Sequence, residues 1–161
     1  MTGLVVLSHA LLAIVFVGAL LGRGIVLAMA ERAQTLESML ILTKAAAPFE
    51  RIVIGVGSIA GLLGVASAVA QGRPLFGPLQ GGTVDWLFVS VLLVLSTAPL
   101  PPLVFLPRGR VFEAALADAR ERGELTPELS RAWRDPAVRA AHAYELLVVT
   151  VVLVLMLAKP F

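Results

Sequence analysis

The sequence predicts an all-α fold: an integral membrane four-helix bundle with short amphipathic interfacial helices in its inner loops. Three observations lead there. Of 161 residues, 58% are hydrophobic and only 15% charged, more apolar surface than a soluble core of this size can hide. A helix needs about 20 apolar residues to cross the roughly 30 Å hydrocarbon layer. Runs near that length fall at 4–22, 52–70, 86–107 and 142–158, so residues 1–161 read as a single transmembrane domain.

Taken in order, the first span carries Ala28, Met29 and Ala30 after its apolar run, a small-residue pattern like a signal-peptidase site. No lysine or arginine precedes the run, so it is expected to stay as a span. The second and third spans are uncharged, whereas the fourth holds Glu145 and closes on Lys159 and Pro160. Lysine and arginine accumulate in cytoplasmic loops. The first and third loop regions carry eleven of them, the second loop only Arg73 and the C-terminus only Lys159. That asymmetry places both termini and the Gly/Pro-rich loop 71–85 outside, as in a multi-pass protein of the bacterial cytoplasmic (inner) membrane.

Within the inner loops, Val111, Phe112, Ala115, Leu116 and Ala119 recur at helical spacing before a stop at Gly123. Thr126-Pro127 and Asp135-Pro136 each pair an N-cap residue with proline at the first helical position. The second of these helices is expected to run into the fourth span. Leu36, Met39, Leu40 and Thr43 suggest a short surface helix ending near Pro48. Trp86 and Trp133 fall where interfacial aromatics belong, at the outer and inner boundaries.

With no cysteine in the chain, disulfides, thiolate metal sites and cysteine nucleophiles are excluded. Its arginines flank apolar spans, which points to topology and anionic lipid and not to nucleic acid. Small residues let membrane helices approach, and GxxxG spacings occur at Gly18 and Gly22 and at Gly57 and Gly61, with Gly64 beyond. They mark a contact between the first two helices or with a partner subunit, unless they reflect only the general frequency of glycine in membrane helices.

Ionisable groups within a bilayer are costly, so each marks a candidate site. His9 lies roughly 9 Å inside the outer end of the first span, either as an axial haem ligand or hydrogen-bonded to a neighbouring helix. Glu145 stands about 21 Å from Lys159 along the fourth helix and needs a partner. Arg23 is the first candidate, with Arg51 and Arg108 as alternatives, and His142 shares the helix face of Glu145. The bland reading is a structural ion pair and the sharp one a proton relay. Pro99, Pro101 and Pro102, following Ser96 and Thr97, break the third span. The two histidines fall toward opposite faces, which disfavours bis-histidine ligation in one chain. The four methionines are scattered, so no copper path or other metal site is expected.

The stretch from His9 through Phe16, Gly18 and Ala19 resembles the first-span pattern His-x6-Trp-x-Gly-Gly of the membrane families that include copper-resistance D (CopD) and HemJ-type oxidase proteins. Phe16 stands in place of the tryptophan and Ala19 of the second glycine. The ending Met156-Leu-Ala-Lys159-Pro160, with four spans, is similar to a bacterial family of predicted integral membrane proteins, domain of unknown function 2269. The resemblance to the oxidase relatives implies that His9 is the residue to contact haem b, the one cofactor candidate. Nothing amounts to a catalytic signature. The leading expectation is an accessory or assembly subunit of a larger membrane complex, a redox complex among the options, with the lipid bilayer, other membrane subunits or a second copy as partners. The alternatives are a b-type haem protein and a small-solute or proton-coupled carrier.

Overall fold

The structure, a computed structural model, describes residues 2–160. Six α-helices follow in chain order: α1 (Thr2–Glu31), α2 (Leu36–Ala70), α3 (Trp86–Thr97), α4 (Leu106–Arg122), α5 (Pro127–Trp133) and α6 (Pro136–Ala158). Four segments are long and apolar enough to span: Gly3–Glu31, Leu36–Ala70, Trp86–Arg122 and Pro127–Ala158. Their outward faces are bare, with Leu157 85% and Leu103 72% exposed, a surface that lipid covers and water does not tolerate.

Packing divides the bundle into two halves. A connection at residues 32–35 turns α1 back on α2, where the Thr35 hydroxyl accepts from the Ser38 amide at 3.2 Å as an N-cap, and the two helices pack along their length. The other half is α3 against α6. At the end of the bundle that holds both termini, Gly77 bends the connecting loop at φ +40°, and a Cβ there would stand 2.7 Å from the Thr83 carbonyl oxygen. Asp85 caps α3 by accepting from the Phe88 amide at 2.9 Å. The Trp86 ring is flanked by the Arg73 guanidinium at 5.5 Å and the Lys159 ammonium at 5.6 Å, a cationic collar suited to the headgroup layer.

One expectation is corrected. Instead of a surface helix ending near Pro48, α2 runs unbroken through Pro48 from Leu36 to Ala70. At roughly 52 Å it outruns the hydrocarbon layer by about 20 Å. Pro48 therefore sits near the polar margin, where water can take the carbonyl that it deprives of a donor.

The third span breaks as its prolines require. After Thr97 the chain makes a tight turn, then a π-helical turn at Pro101–Phe105, and enters α4 without leaving the helical direction. Two hydroxyls repair part of the damage. The Ala98 amide bonds back to Leu95 instead of Val94, and the Thr97 hydroxyl donates to the vacated Val94 carbonyl at 2.7 Å. Ser96 donates to the Leu93 carbonyl and accepts from the Tyr144 hydroxyl at 2.6 Å, tying the break to α6.

The best-buried residues lie at the arginine-rich end, in the end turns of the spanning segments and the loops beside them. Leu129 and Ala119 are wholly buried, and Leu36 and Met39 complete a small core to which Phe112, Leu116 and Trp133 add their faces. The Thr126 hydroxyl caps α5 by accepting from the Leu129 amide at 3.2 Å, and Gly123 stops α4 at φ +72°. Here water supplies a hydrophobic force, so the segments at the arginine-rich end fold like a miniature soluble domain. Leu129→Ala is expected to cost about 2–5 kcal/mol, read as a lowered unfolding midpoint in detergent; an unchanged midpoint would remove this core as a source of stability.

Candidate functional site

The two halves meet at Arg23, on α1, whose side chain is 10% exposed. Its Nη1 donates to the Glu50 carboxylate on α2 at 2.8 Å. Its Nη2 lies 3.6 Å from Glu145 Oε2 and 3.3 Å from His142 Nδ1, both on α6. His142 Nδ1 is also 3.2 Å from Glu145 Oε2, and Phe105 of the π turn stacks on its ring at 4.7 Å between centroids. One imidazole nitrogen thus stands between a guanidinium that can only donate and a carboxylate that can only accept when ionised. It can serve one of them at a time, so moving a single proton reorganises the contact.

Arg23, His142 and Glu145 are thereby brought together as the sequence suggests, whereas Glu50, the tightest partner, was not foreseen. Arg51 and Arg108, the alternative partners for Glu145, are not in this cluster; Arg108 instead bonds Asp135 at 2.6 Å. The signal for Glu50 was available in principle, since a helix continuing through Pro48 puts it one turn below the span.

His9 sits elsewhere. Its Nδ1 is 2.8 Å from the Ala60 carbonyl oxygen of α2, and because a carbonyl only accepts, Nδ1 carries the proton. Nε2 keeps its lone pair, is buried and has no partner among the described residues. Room for the ring comes from Gly64, where a Cβ would lie 3.0 Å from His9 Cε1. Gly57 lies likewise under Phe16, at 2.8 Å, and Gly22 under Phe49, at 2.6 Å. Small residues of each helix receive aromatic rings of the other. Gly18 and Gly61 have open space around them and take no part in that contact.

Two cavities adjoin the Arg23 cluster. A central one of about 300 Å³ runs between α1, α2, α3 and α6, with His9, Thr97 and Glu145 as its polar lining among apolar side chains. A cleft of about 730 Å³ opens between α1, α4 and α6 at the arginine-rich end, lined by Arg23, Arg108, Arg139 and His142. Glu145 faces the first and His142 the second, so the cluster stands between them.

The free Nε2 of His9 has the tautomer of a metal ligand, yet the site does not fit haem. That nitrogen has no accessible surface for iron to approach, and the central cavity stands at the lower limit of small-molecule sites. Among the described residues, no three His, Cys, Asp or Glu side chains group as a metal site.

Removing the cation should expose what it holds. Arg23→Met leaves Glu145 with His142 alone and the half-exposed Glu50 without its cation, and is expected to lower stability by about 1–3 kcal/mol. Adding Glu145→Gln should restore part of the loss in detergent unfolding, and a double variant no better than the single one would mean that the pair is not coupled.

A comparison with protein families matches residues 3–160 to the family described as predicted integral membrane protein (DUF2269). No curated protein and no solved structure matches the chain, so the comparisons give no link to the copper-resistance D or HemJ-type proteins.

Proposed function

The chain belongs to that family of integral membrane proteins, and we propose that it is a proton-coupled carrier of a small solute in the bacterial cytoplasmic membrane, with both termini outside. One observation carries the reading: a cluster of partly exposed titratable groups around the buried Arg23 stands between a central cavity and a cleft open at the arginine-rich end. The loop asymmetry of lysine and arginine supports the orientation.

The chemistry follows from which helix holds which group. Glu50 keeps Arg23 attached to the α1–α2 half whatever the state of Glu145. Protonating Glu145 removes its charge from Arg23 and weakens the link to α6, so the halves are freer to part. His142, which also lines the cleft, is placed to pass the proton to Glu145 on the cavity side. A solute entering the cavity meets Glu145, and that contact couples its binding to protonation.

The test is proton flux. Purified protein in liposomes loaded with a pH-sensitive dye should take up protons when a negative-inside potential is imposed, and Glu145→Gln should slow this by at least about tenfold. Liposomes with folded wild-type protein that are no leakier than empty ones, with and without a panel of small cations, would sink the carrier.

A second reading, an accessory or assembly subunit of a larger membrane complex, draws on the open backbone at Gly18 and Gly61. In that case Gly18→Leu should reduce co-purification with companion subunits while leaving the unfolding midpoint unchanged. Extraction from the native membrane as a solitary monomer would end it.

A further inference from the structure

We propose that the cleft between α1, α4 and α6 is a binding site for an anionic phospholipid of the leaflet at the arginine-rich end. The inference does not rest on the carrier reading. The cleft, about 730 Å³, combines two surfaces that seldom occur together. Its walls are apolar, including Leu21, Ile25 and Leu146, and these three are among the exposed large side chains of the spans. Its rim carries cations. Arg139 has no carboxylate partner among the described residues, and Arg108, about half exposed, shares Asp135 with the N-cap of α6. Arg23, deeper in, is already matched by Glu50 and Glu145.

Charge complementarity selects the occupant. A neutral lipid would fill the apolar walls and leave Arg139 without an anionic partner at the rim, whereas a phosphate with net negative charge accepts hydrogen bonds from Arg139 and Arg108 together. A free anion would satisfy the rim and leave the apolar walls empty. Glu31 also lines the cleft, but it is engaged by Arg134 at 3.5 Å, so it does not neutralise the two arginines at the rim. Basic pockets between spanning helices at the cytoplasmic surface suit acidic headgroups for this reason. The bilayer holds the acyl chains at the right depth beforehand, and the cleft needs only to order one of its neighbours.

The experiment uses the full chain in detergent with long-chain phosphatidylglycerol, phosphatidylcholine or inorganic phosphate added, read by native mass spectrometry and thermal unfolding. Phosphatidylglycerol should remain bound and raise the unfolding midpoint, with the other two giving little or no effect. Arg139→Gln is expected to weaken retention roughly tenfold. Gly24→Leu projects a side chain from the cleft wall into open space and should block the lipid without disturbing the fold. Arg131→Gln, on the exposed face of α5, serves as a control that keeps binding. Equal retention of phosphatidylglycerol and phosphatidylcholine, or retention unchanged in both Arg139→Gln and Gly24→Leu, would overturn the proposal; a response to inorganic phosphate equal to that to phosphatidylglycerol would replace it with a simple anion site.

Discussion

A guanidinium buried between two helix pairs sets the terms for this bundle. Each half has its own packing, α1 on α2 through rings laid over glycines, and α3 on α6. Contact between the halves is sparser, and Arg23 spans it with one carboxylate on each side. In a low-dielectric interior such an arrangement is adhesive only while every member is satisfied. It therefore fixes the register of α1 against α6, and it does so with an interaction that a proton can weaken.

The same economy of hydrogen bonds governs the third span. Pro101 and Pro102 deprive the Thr97 and Ala98 carbonyls of their usual donors, in a region that offers little water. The hydroxyls of Ser96 and Thr97 donate to the Leu93 and Val94 carbonyls just before the break, and the Tyr144 hydroxyl joins them through Ser96. The π turn that follows is what places Phe105 on the His142 ring. The break thus shapes the polar cluster from one side, and a regular helix through the same residues would carry Phe105 to another bearing.

Much of this architecture is legible in sequence because lipid imposes simple demands. Span length, the proline break, the caps at Thr126 and Asp135, and the need of Glu145 for Arg23 each follow from one local rule. Two features escaped. Pro48 read as a helix end, since proline is a poor interior residue, and the position of Glu50 went with it; only its depth near the polar margin lets α2 continue. The small core around Leu129 also escaped, because its parts come from the first and third loops, and no periodicity in either announces the other. The enclosure of His9 Nε2 is not legible from local rules either, because the sequence shows a histidine and not what surrounds its second nitrogen.

That nitrogen separates the readings of the site. A histidine held only for packing would turn both ring nitrogens to partners, since an unpaired polar atom in an apolar interior costs about 1–3 kcal/mol. Here one nitrogen is committed to Ala60 and the other is enclosed where the ring lies over Gly64 of α2. The cost is borne in the folded chain, on a ring that Gly64 makes room for. The enclosure that denies iron an approach denies water one as well, so His9 serves the contact of α1 with α2 through Nδ1, and Thr97 and Glu145 are the other polar side chains lining the central cavity.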